Sequence, residues 1–179
     1  MSGTSAPLKI CIVGDPGVGK TSILESLRKE GLTDETVSED KLVRDFTVHG
    51  VYPCSVELTS RTFSLESGDP GSCLLDVSGL ILVFDVSNPD TFESIQRWVD
   101  MLEVETGGDV PLVLIANKSD LPSNVTRDEI LEVALALDSP CYFTNTESGE
   151  NVNEAIHTLL ELICEKGVIP QEGPISNNV

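Results

Sequence analysis

Two short stretches hold the residue types that could act on a bound ligand. The first is Gly14-Asp15-Pro16-Gly17-Val18-Gly19-Lys20-Thr21-Ser22, where glycines run into a lysine and two hydroxyls. Gly17 and Gly19 let the backbone curl so that successive N–H groups point inward at phosphate oxygens. Lys20 can reach the β- and γ-phosphates of a nucleotide, and the Thr21 hydroxyl can sit on Mg²⁺. The plain alternative is a glycine turn that binds nothing. The second stretch is Asn117-Lys118-Ser119-Asp120. A carboxylate here can accept two hydrogen bonds from the N1–H and N2–H₂ edge of guanine. Adenine has no such donor pair, so Asp120 would select guanine. The Lys118 stem can cover the face of the base while its ammonium braces the glycine loop, and Asn117 can tie neighbouring loops together. By itself the tetrapeptide is weak and would pass for an ordinary turn.

Both stretches gain weight from the elements that must position them. The apolar run Leu8-Lys9-Ile10-Cys11-Ile12-Val13 reads as a buried strand, and a helix from Thr21 to about Glu30 follows the glycine loop, with Gly31 as its stop. That helix start adds partial positive charge where phosphate would sit. Residues 32–41 are acidic and weakly patterned and read as a loop. Two strands flank His49-Gly50 as a hairpin, with Pro53 removing one ladder donor from the second. Residues 59–78 have no clean period. Leu80-Ile81-Leu82-Val83-Phe84 is a second buried strand. Asp90 can N-cap the next helix, whose stripe is Phe92, Ile95, Val99 and Leu102; Trp98 on it reads as packing rather than as a ligand platform. A strand over 111–116 leads into Asn117. A helix over 127–137 places Ile130, Leu131, Ala134 and Leu137 inward. A short strand, 141–143, precedes a last helix over 151–166, with Ile156, Leu159, Leu160 and Ile163 as its stripe. Strands alternating with helices predict a mostly parallel α/β sheet covered on both faces. Ligands of such sheets bind at the carboxyl ends of the strands, where both stretches lie.

The bulk properties narrow the function class. The chain has 179 residues, enough for one domain with one sizeable core, and 40% are hydrophobic. With 11 basic against 30 acidic residues, the net charge of −19 argues against nucleic acid and against adhesion to anionic membranes. No apolar run reaches the ~18 residues of a spanning helix, and residues 1–7 do not resemble a signal peptide. The five scattered cysteines read as small buried hydrophobes in a reducing, cytoplasmic compartment. Nothing has the spacing of a zinc site.

The chain resembles a small GTPase of the Ras superfamily, nearest its Rab or Ras branches. The residues that carry the resemblance are the glycine loop, the run from Gly79 to Phe92, Asn117 with Lys118 and Asp120, and Gly149-Glu150-Asn151-Val152 before the last helix. It spans essentially the whole chain. The resemblance implies a P-loop NTPase G domain over 8–167, with flexible tails at 1–7 and 168–179. It also implies a six-stranded, mostly parallel sheet, GTP or GDP with Mg²⁺, and protein effectors or regulators. Phosphate contacts fall on Asp15, Pro16, Gly17, Val18, Gly19, Lys20, Thr21 and Ser22. Guanine contacts fall on Asn117, Lys118 and Asp120 and on the third segment, Asn145, Thr146 and Glu147. Metal contacts fall on Thr21 and on Thr36, which reads either as a Mg²⁺ ligand of the GTP state or as an ordinary loop residue.

Departures from the family pattern matter as much. The register from His49-Gly50 and from Gly79 places the family's Asp-x-x-Gly on Thr59-Ser60-Arg61-Thr62. Thr59 then stands where a carboxylate would hold a Mg²⁺ water, and Thr62 where a glycine N–H would meet the γ-phosphate. Phe63 replaces the glutamine that orients the attacking water. Pro16 puts bulk where an arginine finger would enter. Asn145-Thr146-Glu147 replaces Ser-Ala-Lys; the Thr146 N–H could still meet guanine O6, but Glu147 cannot act as a lysine. No cysteine lies near position 179, so no direct lipid anchor is expected. These features predict a guanine-nucleotide-binding protein with weak or absent hydrolysis and no assigned catalytic residue, acting through partners in signalling or vesicle transport. A pseudoGTPase scaffold that does not switch, or binds no nucleotide, stays open, as does a P-loop kinase or ATPase, which Asp120 disfavours.

Overall fold

The computed structural model describes residues 6–30, 35–50, 52–61 and 74–167. Strand β1 (Leu8–Val13) leads through the glycine loop into helix α1 (Lys20–Glu30). Strands β2 (Glu35–Ser38), β3 (Lys41–Val48) and β4 (Tyr52–Ser60) follow. Next come β5 (Gly79–Asp85), α2 (Pro89–Glu93), α3 (Ile95–Thr106), β6 (Leu112–Asn117), α4 (Arg127–Ala136), β7 (Cys141–Thr144) and α5 (Val152–Glu165). The strands form one sheet in the order β2-β3-β4-β1-β5-β6-β7. Parallel pairing runs from β4 through β1, β5 and β6 to β7, while β3 lies antiparallel to β4 and β2 antiparallel to β3. The six expected strands are present, and the short β2 is a seventh at the edge. Residues 35–38, expected as loop, form a strand: four residues carry too little pattern of their own, and pairing with β3, Thr36 opposite Leu42, decides them.

Alternation along the central strands divides the core into two layers. Ile10, Ile12, Ile81, Val83, Val113 and Ile115 face one side, against α1 and α5. Cys11, Val13, Leu80, Leu82, Phe84, Leu114 and Ala116 face the other, against α3 and α4. Both faces are covered, so the strands are apolar throughout. The α5 stripe of Ile156, Leu159, Leu160 and Ile163 is wholly buried, each side chain contributing roughly 1.5–3 kcal/mol of transfer free energy.

Some local expectations shift. The helix expected from Asp90 is two segments meeting at Ser94, and its N-cap is Asn88, whose side chain accepts the Asp90 N–H with Pro89 at the first turn. On α4 only Ile130 and Ala134 are buried; Leu131 is 42% exposed, being one residue, and so about a quarter turn, off that line. His49 and Gly50 both take positive φ, 53° and 69°, as a tight hairpin end requires. Pro53 pairs with Thr47 of β3, in the part of β4 that β1 does not flank, so its missing donor costs no ladder bond on that side. Cys11 and Cys164 are buried and Cys54 and Cys141 half-buried, none of the four in a disulfide, and burial pushes the Cys141 thiol up to about 11. Among the described residues no helix is long and apolar enough to cross a membrane.

Candidate functional site

The glycine loop sits between the ends of β1, β5 and β6, and two of its glycines are demanded by close approach. Gly14 has φ 143°, and a Cβ there would stand 2.2 Å from the Val83 carbonyl oxygen. Gly19 has φ 102°, and its Cβ would stand 2.3 Å from Asn117 Nδ2. Gly17 has φ 81° with open space around it, so only its backbone conformation calls for glycine. Pro16 and Gly17 are exposed at the tip of the loop, Val18 is buried beneath it, and Thr21 is exposed at the start of α1.

Lys20 is 5% exposed, and its ammonium donates to the Gly14 and Asp15 carbonyls, each at 2.8 Å. Burial lowers its pKa to about 8, against the opposing pull of Asp15. The Asp15 carboxylate accepts the Trp98 indole N–H at 2.9 Å. Trp98 is therefore a buried packing residue that also reaches the loop with its polar edge.

The second stretch bonds directly to the first. Asn117, wholly buried at the end of β6, donates to the Val18 carbonyl at 2.9 Å and accepts the Thr144 hydroxyl at 2.9 Å. One side chain thus joins the glycine loop, β6 and β7. Lys118 has φ 61° and donates to the Gly17 carbonyl at 2.9 Å. The same ammonium lies 2.6 Å from the Asp85 carboxylate, a buried group at the end of β5. Burial by itself would raise the Asp85 carboxyl, but hydrogen bonds from Lys118 and Ser87 outweigh it and hold the group below the usual carboxylate range.

A cleft of about 360 Å³ brings Asn117, Lys118, Asp120, Asn145, Thr146 and Glu147 together with Gly19 and Ser22. Asn145 shapes the third segment, its side-chain oxygen accepting the Glu147 N–H at 2.9 Å. Glu25 and Lys29 also line the cleft, one and two turns beyond Ser22 on the same face of α1. Sequence reasoning missed those two, and also Asp85 and Thr144. Helical spacing from Ser22 could have found Glu25 and Lys29; a lone carboxylate at a strand end gave too weak a signal for Asp85. A larger hollow, about 490 Å³, opens at the opposite end of the sheet near Leu80, Leu112 and Lys166. It has no glycine loop or helix start, so the smaller cleft is the candidate site.

The β2–β3 side, where the family resemblance places the contacts to a terminal phosphate, is built differently. Thr59 lies within β4, opposite Lys41 and Cys11, with no carboxylate of its own. The Ser60 N–H donates to the Asp40 carbonyl at 2.8 Å, and Arg61 lies 4.0 Å from the Asp40 carboxylate. Arg28 of α1 donates to the Ser38, Glu39 and Lys41 carbonyls across the β2–β3 turn at 2.5, 3.2 and 3.2 Å. Thr36 lies in β2; Thr62 and Phe63 lie outside the described residues. Among the described residues no three His, Cys, Asp or Glu side chains gather where they could hold a metal by themselves.

Comparison with known proteins places the chain among Ras-related proteins. Ras-related protein SEC4 of Saccharomyces cerevisiae is 27% identical over 89% of this chain and 76% of its own length. Ras-related protein RabF1 of Dictyostelium discoideum is 28% identical over 95% of this chain and 93% of its own. Ras-related protein Rab-27A of Rattus norvegicus is 27% identical over 89% and 79% respectively. The family pattern described as Ras family matches residues 9–165, from the strand that feeds the glycine loop to the last residue of α5, and the chain belongs to that family.

Proposed function

We propose that this Ras-family chain binds guanosine phosphates in the cleft between the glycine loop and residues 117–120 and 145–147, and hydrolyses GTP very slowly. In this reading phosphate lies over Asp15, Pro16, Gly17, Val18, Gly19, Lys20, Thr21 and Ser22. Asp120 takes the guanine edge, Lys118 covers its face, and the Thr146 N–H meets O6. The observation that carries the binding half is the pair of bonds from Asn117 and Lys118 to the Val18 and Gly17 carbonyls. They join the base side of the cleft to the phosphate side before any ligand arrives, so little ordering cost remains on binding.

The donors present fit Mg²⁺. The Thr21 hydroxyl is a hard oxygen at the loop, and phosphate oxygens complete the kind of shell that this ion prefers, with Thr36 as a further candidate ligand. Such an ion would neutralise phosphate charge. The chain's own part is to place Thr21 at the helix start and to offer the Lys20 ammonium and loop N–H groups to the phosphates.

Hydrolysis needs a positioned water and charge stabilisation at the terminal phosphate. Thr59 supplies no carboxylate, and Phe63 has no polar atom. We expect intrinsic turnover at or below about 10⁻⁴ s⁻¹. Single-turnover hydrolysis of GTP at millimolar Mg²⁺ tests it, and a rate tens of times higher overturns it. The nucleotide released on denaturing the purified protein tests binding, and competition by ATP tests selection by Asp120.

A second reading, a scaffold that does not switch, is favoured by the Arg28 contacts. Three backbone carbonyls of the β2–β3 turn are held by the protein itself, where a switch would leave them to the nucleotide state. A ligand with equal affinity for two arrangements shifts neither. GTP and GDP dissociation constants within a factor of about two would favour the scaffold. Either way the chain acts through protein partners, in signalling or vesicle transport, from the cytoplasm and without contact to nucleic acid.

A further inference from the structure

The larger hollow, at the end of the sheet away from the glycine loop, combines an apolar lining with acidic groups. Strands β5 and β6 begin at it, and α3, α4 and α5 all end around it. Val110, Leu112, Leu137 and Leu162 line it half-buried, so apolar surface stays open in a space of about 490 Å³. That volume suits a ligand or a side-chain anchor, whose clefts hold roughly 300–1,000 Å³. Glu103, Asp138 and Glu165 are exposed among the same lining residues.

The charge there is unbalanced. A helix carries partial negative charge at its C-terminus, and a basic side chain in the last turn answers it. Helix α1 has Arg28 and Lys29 in that place. Helices α3, α4 and α5 have no basic residue in their last turns. Among the described residues that line the hollow, Lys166 is the only cation, and its ammonium is taken by the Asp109 carboxylate and carbonyl, each at 2.6 Å. Three helix ends and three carboxylates thus meet at an apolar hollow, with the one lysine committed elsewhere. A second copy of the chain, at a net charge of −19, would be repelled.

We propose that this hollow docks a basic segment of a protein partner, which sets an apolar side chain against Leu112, Leu137 and Leu162 and Lys or Arg side chains against Glu103, Asp138 and Glu165. Apolar burial supplies most of the affinity, while the carboxylates and helix ends select for positive charge and speed the encounter. The site lies across the sheet from the nucleotide cleft and stands whether or not the glycine loop binds nucleotide.

The test titrates the full chain, labelled on its valine and leucine methyls, with an end-blocked peptide, Lys-Arg-Leu-Phe-Arg-Lys, at low salt. Shifts at Val110, Leu112, Leu137 and Leu162 should saturate with a dissociation constant at or below about 1 mM. Ser-Ser in place of Leu-Phe should weaken the peptide by about tenfold. The acidic counterpart, Glu-Glu-Leu-Phe-Glu-Glu, should leave those methyls unmoved. Glu103→Lys and Glu165→Lys together, both at exposed positions outside the nucleotide cleft, should weaken the basic peptide by about tenfold at an unchanged melting temperature. Shifts that do not saturate or that centre elsewhere overturn the proposal. So do equal binding of the Ser-Ser or acidic peptide and an affinity that the double charge reversal leaves within about twofold. Without peptide, shifts of the same methyls with protein concentration would assign the hollow to a second copy. Nuclear Overhauser contacts from residues 168–179 to Leu112 or Leu137 would assign it to the chain's own end; either result overturns the proposal.

Discussion

The two ends of the candidate site are built on different principles. On the side of the glycine loop and Asn117, nearly every tie runs from a side chain into the carbonyls that shape the cleft: Lys20, Asn117 and Lys118 all do this. On the side of the β2–β3 turn, the ties bypass the cleft. Arg28 and Ser60 fasten the turn to α1 and β4, and Thr59 is one more residue in a strand. The function proposed above separates binding a nucleotide from cutting it within one fold. Recognition needs donors and shape that exist before the ligand arrives, whereas hydrolysis needs groups placed against charge that develops during reaction.

The contrast can be broken from the binding side first. Gly19→Ala places a Cβ 2.3 Å from Asn117 Nδ2 at a strained φ, and should weaken guanine nucleotide by roughly a hundredfold in equilibrium titration. Near-normal affinity would mean the cleft is not the site. Asn117→Ala strips partners from the buried Thr144 hydroxyl and the Val18 carbonyl, and should lower unfolding free energy by about 2–4 kcal/mol in denaturant titration without nucleotide. A loss below about 1 kcal/mol would show that the bridge is not structural.

The pH response of Lys20 sharpens the same side. Its folded pKa is about 8 against the usual 10.5. Between those values the unfolded chain holds a proton that the folded chain has released, so this contribution to stability rises with pH across that window. Phosphate binding runs the other way, since it wants the ammonium. Affinity should weaken by up to about tenfold per pH unit above 8. Melting curves and GDP titrations from pH 7 to about 10, on the unchanged chain and on Lys20→Met, check both signs, and the variant should lose both trends.

On the other side, restoring the missing groups is the sharper experiment. Thr59→Asp, Thr62→Gly and Phe63→Gln together should raise single-turnover hydrolysis by about tenfold if the binding half is competent. No gain would put the block elsewhere, as at Pro16 or the Arg28-held turn. The smallest effect is expected at Glu147→Lys, which trades an acidic for a basic group at the rim of a cleft that also holds Glu25, Lys29, Lys118 and Asp120, and should tighten GDP by about threefold, more at low salt. Unchanged affinity at low salt would place Glu147 outside the ligand's field.

Local signals were legible for a physical reason. A phosphate loop is a run of consecutive residues, and alternation of period two in β1, β5 and β6 forces one face each way, so strands, loop and layers could all be read from spacing. The stripe of α5 was readable for the same reason. The short β2 was not, nor the place of Leu131, because a neighbouring strand or the orientation of a helix decides such residues rather than their own pattern.

The chain's order of residues, by itself, determined the fold class, the glycine loop, the Asn117–Asp120 tetrapeptide at the end of a strand and the absence of a carboxylate at Thr59. Each depends on residue type at a fixed local offset. Only the tertiary structure decided that Asp85 would seat Lys118, that Arg28 would take the carbonyls of the β2–β3 turn, and that Trp98 would reach Asp15. Those contacts join segments far apart in the chain, and the packing of the sheet and helices alone brings them within hydrogen-bond reach.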